Sequence, residues 1–230
     1  MQANLKNNSI LEETELSYSR FFGHDGRKMN LERSRVTHCR FEGVNLDESR
    51  FGRATIQDTT FSNNSFRKAN FVDNTIRNSL FANNSLEETD FSRSRIESTG
   101  FDGSKLHDAT FENAILSRIS FRNANLHGIA HLPRSCHEFT FVGADLSGLD
   151  MKNFNLVRAK LDHVKLQGAD LSGANLTRAE LDGASAGALL NPSAAANKAQ
   201  IEALKRKLEH LQGLKDDAAA EEFASDTSLG

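Results

Sequence analysis

The chain has 230 residues, a formal net charge of −3 at pH 7, and 26% charged against 38% hydrophobic residues. No apolar run approaches the roughly 20 residues that a membrane-spanning helix needs, which excludes a helical integral membrane protein. The weakly acidic balance also argues against direct binding of nucleic acid through a strong basic field. The N-terminal residues lack a basic segment followed by an apolar stretch, so we expect no secretory signal peptide and a cytoplasmic location.

Cysteines are few in this chain, and its aromatic residues are almost all Phe. Cys39 and Cys136 are the only two cysteines, and their separation matches no metal-binding or redox motif, so we expect both to be free thiols. The chain has sixteen Phe but one Tyr and no Trp. Such a bias towards one aromatic residue type calls for a positional explanation.

Residues 1–20 form the first predicted unit. Leu5 and Ile10 are five residues apart, and so are Leu16 and Phe21, but the two pairs are offset by one residue. A one-residue bulge near residues 11–15 would reconcile them. We therefore expect a cap or a distorted first coil over residues 1–20.

Residues 21–187 repeat with a period of five. Of the 33 positions taken every fifth residue from Phe21 to Leu181, 31 are apolar, and the exceptions are Gly26 and His131. Twelve of the sixteen Phe lie on this phase. The position two residues earlier is mostly small. Since side chains two apart on a strand share a face, both positions should point inward.

The remaining positions of each unit predict a corner. Nine of the fifteen Gly lie two residues after the large position, and six Asn share that column. Gly and Asn are the residues that best tolerate positive φ, so a tight turn should follow each short strand. The glycines are Gly23, Gly43, Gly103, Gly128, Gly143, Gly148, Gly168, Gly173 and Gly183, and the asparagines are Asn63, Asn78, Asn83, Asn113, Asn123 and Asn153.

Four five-residue sides make one predicted coil. Positions twenty residues apart hold like residues, whereas a ten-residue coil would mix Leu columns with Ile columns. We expect about eight coils that pair as parallel strands, with Phe rings stacked inside. The predicted core residues are Phe41, Phe61, Phe81, Phe101, Phe121, Phe51, Phe71, Phe91 and Phe111.

Several segments carry a family resemblance, namely FSNNSF, FANNSLEETDF, FENAILSRISF, ADLSGLDM and GADLSGANLTRAELDGA. They resemble the A(D/N)LXX consensus of pentapeptide-repeat proteins, most closely in residues 144–184. The resemblance implies an all-β solenoid, a right-handed quadrilateral parallel β-helix. It implies much less about function.

Residues 127–140 depart from the repeat. His131 occupies a core position, Arg134 a small-residue position, and Pro133 cannot donate to a strand ladder. Large residues also replace small ones nearby, which indicates a wider interior. One interpretation is tolerated irregularity, and the other is a loop that recognises a partner. His131, Arg134 and His137 are the candidate partner-binding residues.

After residue 187 the composition changes. Residues 188–215 contain helix-start residues followed by an apolar stripe, so we expect an α-helix there. The helix would cap the open end of the solenoid, within the chain or across a homodimer, or form a short coiled coil. Residues 216–230 are expected to be a flexible acidic tail.

No recognisable motif nominates an active site, so we predict no catalytic, cofactor-binding or metal-binding residues and no enzymatic activity. His127, His131, Cys136 and His137 cluster in sequence, but their spacing matches no reliable zinc pattern.

The leading functional hypothesis is a non-enzymatic, bacterial protein-interaction scaffold whose flat sides or irregular coil bind a protein partner. The first alternative follows from the resemblance, because some pentapeptide-repeat proteins mimic a DNA duplex and bind type II topoisomerases such as DNA gyrase. A bacterial effector is a further alternative. Acidic residues are enriched in residues 81–113 but lie on four different sides, so the duplex-like field is weak.

Overall fold

The structure, a computed structural model, describes residues 7–184 as a parallel β-solenoid. Each strand pairing and each isolated bridge in these residues joins positions twenty apart, from Ile10↔Asn30 to Lys160↔Glu180. The predicted twenty-residue coil is therefore confirmed. The helix and tail expected at 188–215 and 216–230 lie outside the described residues.

Two adjacent sides of the solenoid form short strands. The six-stranded sheet has the order β1-β3-β5-β7-β9-β10 and so spans about five turns, and the four-stranded sheet has the order β2-β4-β6-β8. Isolated bridges continue the same register beyond the sheets, and the expected number of about eight coils stays a prediction. The strands are β1 (Glu15–Ser17), β2 (Arg20–Phe22), β3 (Arg35–Thr37), β4 (Arg40–Glu42), β5 (Thr55–Gln57), β6 (Thr60–Ser62), β7 (Thr75–Arg77), β8 (Leu80–Ala82), β9 (Arg95–Glu97) and β10 (Ile115–Ser117).

A turn with positive φ follows every fifth residue. The turn position recurs from Asn8 to Gly183 without a change of phase, and Pro133 is the one exception in the described residues. All nine glycines and six asparagines predicted at corners have positive φ. Lys, Arg and Glu also adopt it there, as at Lys28 with φ 57° and Arg53 with φ 59°. The fold thus imposes this conformation even on residues that disfavour it.

The core contains two Phe columns along the axis, and the ring planes of one column are nearly perpendicular to those of the other. Rings from Phe21 to Phe141, taken every twenty residues, stack with centroids 4.5 to 5.6 Å apart. A second column from Phe51 to Phe111 stacks at 4.6 to 5.0 Å. Rings of one column meet those of the other edge to face, which is the preferred aromatic geometry. All nine predicted core residues are fully buried.

Polar residues in the small column bond to neighbouring coils. Asn84 Oδ1 accepts the backbone N–H of Asn64 at 2.8 Å, and Asn84 Nδ2 donates to the carbonyl of Phe61 at 3.0 Å. Asn64 Oδ1 likewise accepts the backbone N–H of Val44 at 2.8 Å. The amides thus pair with backbone groups, which satisfies polar atoms that the tight corner would leave buried and unpaired.

Residues 7–20 keep the phase of the rest of the solenoid. Leu11, one residue later than expected, packs against the core, while Ile10 is 77% exposed. Positive φ at Asn8 and Glu13 continues the corner column. The expected bulge near residues 11–15 is therefore wrong, because Leu11 and not Ile10 lies on the phase of Leu16.

Candidate functional site

The irregular coil at 127–140 has a physical cause in Pro133. Every other described corner position has positive φ, but the proline ring fixes φ near about −65°. The turn therefore cannot form at residue 133. It forms two residues earlier, at His131, whose φ is 55°.

The early turn rearranges the side chains of this coil. His131, expected in the core column, is exposed, and Leu132 is buried instead. Arg134, expected in the small column, is also exposed. These exchanges are favourable because a buried imidazole or guanidinium would lose its hydration without gaining a partner.

The early turn also interrupts the ladder. Within residues 7–184, the expected bridges are missing at two places, between Ile115 and Ser135 and between Ala130 and Asp150. Ala130 still pairs with the coil below, and Ser135 pairs with the coil above. Between Ala130 and Ser135 the chain therefore changes from pairing with the preceding coil to pairing with the following coil, and this leaves space at the corner.

That space is a cavity of about 440 Å³, open to solvent. Five of its lining side chains are apolar and at least nine-tenths buried, and three of these are the oversized residues that replace small ones near this coil. Five charged or polar side chains lie around them. The apolar residues are Ile129, Leu132, Leu149, Met151 and Phe154, and the polar residues are Glu112, Asn113, His131, Arg134 and Asp150.

Two backbone N–H groups at the cavity lack the bonds that their equivalents make. Arg93, one coil before Asn113, donates to the carbonyl of Glu112 at 2.8 Å, and Asp170, one coil after Asp150, donates to that of Leu149 at 2.8 Å. The N–H groups of Asn113 and Asp150 have no partner among residues 7–184. Each is a free hydrogen-bond donor at the broken ladder.

The cations next to the cavity are paired with acids outside its lining, Lys152 with Asp170 at 3.2 Å and Arg93 with Asp73 at 2.8 Å. The pKa of Lys152 is raised by its hydrogen bond to Asp170 and then by the charge of Asp150. The pKa of Arg93 is raised mainly by its hydrogen bond to Asp73, and the charge of Glu112 adds to this.

Arg134 supplies the guanidinium of the cavity rim. It forms no ion pair with any described residue. Glu112 and Asp150 form no ion pair among the described residues either, so the charged side chains of the lining are two carboxylates and one guanidinium.

Two of the three candidate partner-binding residues lie at the cavity. His131 and Arg134 line the cavity, but His137 does not and lies 3.4 Å from Glu138. Glu112 and Asp150 were missed, because they belong to the coils before and after the irregular one. The oversized residues Ile129, Leu149 and Phe154 were the signal that could have located the cavity.

Cys136 is the buried nucleophile nearest to this site. Its thiol donates to the carbonyl of Pro133 at 3.1 Å, and burial raises its pKa. A thiol that is kept protonated is not an activated nucleophile. Cys39 is also free and buried, as expected. Within residues 7–184, no group of three or more His, Cys, Asp or Glu side chains is placed to hold a metal ion.

Elsewhere the surface carries columns of alternating charge. Opposite charges twenty residues apart face each other on successive coils, so an acid in a column commonly has a cation above or below it. Examples are Lys28 with Glu48, Lys68 with Glu88, Arg93 with Asp73, Arg158 with Glu138, and Lys160 with Glu180. In the described part of the chain, no helix is long and apolar enough to cross a membrane.

Comparison with known families agrees with this geometry. A family model described as "Pentapeptide repeat region" matches residues 27–91, and one described as "Pentapeptide repeats (8 copies)" matches residues 104–128, 140–178 and 155–185. Together they cover more than half of the chain. The chain belongs to the pentapeptide-repeat family.

A solved structure of this family is similar in fold. HetL, a protein involved in heterocyst differentiation regulation from the cyanobacterium Nostoc sp. strain PCC 7120, is 24% identical with a TM-score of 0.60. The match covers 78% of this chain and 91% of HetL. A trypsin-treated variant of QnrB1, a plasmid-mediated fluoroquinolone resistance protein, is 14% identical with a TM-score of 0.31, covering 79% and 91% of the two chains. No curated protein matches the sequence.

Proposed function

We propose that this protein is a non-enzymatic interaction scaffold that binds a protein partner at the corner cavity beside residues 131–134. The observation that carries the proposal is the interruption of an otherwise regular ladder. In residues 7–184, both missing bridges flank the same coil, and the cavity lies beside it. A rigid support that carries a recess is typical of a recognition surface.

Rigidity follows from the backbone bonding. Corner N–H groups donate to the next coil from Asn8 to Gly103 and again from Glu138 to His163, as Asn83 does to Asp102 at 2.8 Å and His163 to Asp182 at 2.7 Å. The Phe columns add continuous stacking along the axis. A partner would therefore meet a preformed surface and would lose little binding free energy to ordering this side.

The chemistry of the cavity favours recognition over catalysis. Cys136 is held protonated by burial, and Arg134 has no carboxylate partner to orient it. His131, at the rim, has no hydrogen bond to an acid or a nucleophile among the described residues. Acid–base catalysis needs such paired groups in contact.

The alternating ion pairs weaken the DNA-mimic alternative. A mimic needs acidic groups that follow the phosphate positions of a duplex, whereas here cations neutralise acids within the same columns. DNA gyrase thus stays a predicted alternative partner. Inhibition of gyrase supercoiling, or protection of gyrase from a quinolone, at submicromolar protein would favour the mimic over the cavity-based scaffold.

The proposed compartment and type of organism are those expected from the sequence. We propose a bacterial, cytoplasmic protein, and a homodimer through the C-terminal region stays a prediction. The bacterial-effector alternative has no feature in the described residues that favours it.

Site-specific crosslinking tests the scaffold proposal. Benzoylphenylalanine is placed at Arg134, beside the cavity, and in a matched variant at Arg122, an exposed residue on another side of the solenoid. In a lysate of the native host, position 134 should crosslink one reproducible protein identified by mass spectrometry, and position 122 should not. Equal crosslinking from both positions, or none from position 134, would refute the proposal.

A further inference from the structure

We propose that the corner cavity is occupied by the chain's own residues 201–215, whose apolar and basic side chains a partner protein has to displace. This inference rests on the proposed function and names how access to its binding site is regulated. Three observations lead to it. They are the apolar interior of the cavity, the two unpaired carboxylates at its rim, and the short distance from the cavity to the end of the described residues.

The interior of the cavity favours an apolar occupant. Five lining side chains are apolar and at least nine-tenths buried, and they surround one space of about 440 Å³. On the side that faces this space they lack the packing contacts that a closed core would give them. An apolar side chain that enters the cavity would therefore complete the core that the early turn left open.

The charges at the rim favour basic groups beside the apolar one. Glu112 and Asp150 form no ion pair among residues 7–184, and the nearby cations are paired with acids outside the lining. With Arg134 as the guanidinium of the lining, two carboxylates outnumber one cation. Because the two acids belong to the coils before and after the irregular one, they flank the space from both sides. Each can accept a charge-assisted hydrogen bond from an ammonium group.

Residues 201–215 combine these two properties. Leu204 and Leu208 are four residues apart, so they share one face of the helix that the sequence predicts there. On such a helix successive residues differ by about 100°, so Lys205 and Lys207 lie on opposite sides of the line from Leu204 to Leu208. With Leu208 inside the cavity, the two ammonium groups would face the two flanks that hold the carboxylates.

The covalent connection is long enough for this contact and short enough to favour it. Asp150 pairs with Asp170 on the next coil, and the described residues end at 184, less than one coil further along the chain. With about 4.8 Å per coil, residue 184 lies within about 10 Å of Asp150 along the axis. Residues 185–200 can span roughly 50 Å when extended. A tether of this length gives the segment an effective concentration on the order of millimolar, with which a partner has to compete.

The rest of the C-terminal sequence fits the cavity less well. Residues 216–230 contain a large apolar side chain, Phe223, but they have five acidic residues and no Lys or Arg. They would place carboxylates beside Glu112 and Asp150, and like charges in contact disfavour binding. The charge pattern therefore selects residues 201–215 as the occupant.

Photocrosslinking within the purified full chain tests the inference. Benzoylphenylalanine at Arg134 should form an internal crosslink to residues 201–215, which peptide mapping locates and which leaves the protein a monomer on a denaturing gel. The same group at Arg122, on another side of the solenoid, should not. A crosslinked dimer, a crosslink to residues 216–230, or no crosslink from position 134 would overturn the inference. The last result is expected if the segment is confined to the open end of the solenoid.

A charge exchange separates docking from mere proximity. Lys205→Glu with Lys207→Glu should reduce the internal crosslink at least fivefold, because carboxylates would then face carboxylates. Adding Glu112→Lys and Asp150→Lys should restore it, and Arg122→Glu alone should leave it unchanged. Glu112, Asp150 and Arg122 are exposed, so the variants should fold, and circular dichroism checks this. A crosslink that survives the reversal, or that the exchange does not restore, would show that these charges do not hold the segment.

The lysate experiment separates this inference from the proposed function. Leu204→Asn with Leu208→Asn should raise crosslinking of the partner at position 134 at least threefold, because the competing segment is weakened. If the wild type and this double variant crosslink the same host protein equally, the scaffold proposal stands and this inference is wrong. If the internal crosslink forms but neither chain crosslinks a host protein, the scaffold proposal is wrong and the occupancy of the cavity by residues 201–215 stands.

Discussion

Phe81 illustrates how single residues stabilise the axis of the solenoid. Its ring stacks on Phe61 at 4.7 Å and Phe101 at 5.2 Å and meets the edges of Phe71 at 5.9 Å and Phe91 at 6.2 Å. The side chain is fully buried. Each ring therefore supports both columns, and its loss affects neighbours on three coils.

Phe81→Ala should destabilise the protein by about 3–5 kcal/mol, because it removes buried apolar surface and leaves a cavity between the columns. Urea unfolding followed by circular dichroism measures the change. Phe22→Ala is the matched control, since Phe22 is 39% exposed, and should cost within about 0.5 kcal/mol. A loss below about 1 kcal/mol for Phe81→Ala would contradict its role in the stack.

Asn84→Ala should cost about 1–3 kcal/mol, because the buried N–H of Asn64 then has no acceptor. Asn84→Ser should recover part of this. Ser104, in the same column one coil later, already accepts from the N–H of Asn84 at 3.1 Å and donates to the carbonyl of Phe81 at 2.8 Å. Thermal unfolding of both variants tests the order, and equal loss in the two would contradict it.

At this scale the sequence was informative where the period was exact. The Phe columns and the corner glycines could be assigned because each position repeats many times with one phase. His131 was misplaced because its position depends on the backbone of Pro133, two residues away, and a column count ignores dihedral angles. The phase of the first coil was assigned from Ile10 and not from Leu11, because the two neighbouring residues are equally apolar.

The irregular coil shows how one element can create a site without an insertion. Phe121 and Phe141 remain stacked with centroids 5.6 Å apart, so the coil keeps its length of twenty residues. Only the position of one turn changes. The sequence predicted this irregularity, but not the cavity, because Glu112 and Asp150 approach it from coils that are distant in sequence.

Restoring the repeat should close the cavity. The triple variant His131→Phe, Pro133→Asn and Arg134→Ala permits the turn at residue 133 and both missing bridges. Each kcal/mol gained should raise Tm by about 2–4 °C in a chain of this size, and calorimetry measures it. Crosslinking at a cavity position such as Asp150 should disappear in this variant.

Arg158→Asn is the control for the triple variant. It changes a regular corner residue, with φ 58°, to one that better tolerates positive φ, and it leaves the cavity unchanged. Crosslinking at Asp150 should persist in this control. A lower Tm in the triple variant would show that Pro133 does not cause the interruption.

At the scale of the whole molecule, the solenoid buries both thiols. Burial raises the pKa of Cys39 and of Cys136, so the folded protein keeps them protonated at a pH where the unfolded chain loses the protons. An unfolded thiol titrates near about 8.5. Above that pH the unfolded state binds fewer protons than the folded state, so the free energy of unfolding falls as pH rises. Below the pKa of the unfolded thiol, this contribution to stability is fully present.

The free energy of unfolding should therefore be lower at pH 9.5 than at pH 7.5, as urea titrations at the two values can measure. Cys136→Ala should reduce this difference, although the variant loses some packing at both pH values. An unchanged difference between the two pH values in the variant would show that the Cys136 thiol does not contribute to it.

The register of this solenoid fixes where along the axis, and on which side, each residue lies. Because partners in the ladder are twenty residues apart and four corners complete one coil, inserting twenty repeat residues before Asn113 would lengthen the molecule by about 4.8 Å and leave the recess facing the same way. Inserting five would instead rotate everything downstream by a quarter turn relative to the N-terminal coils. The number of repeat residues before the cavity thus sets both the position of the binding surface along the solenoid axis and the side on which it lies.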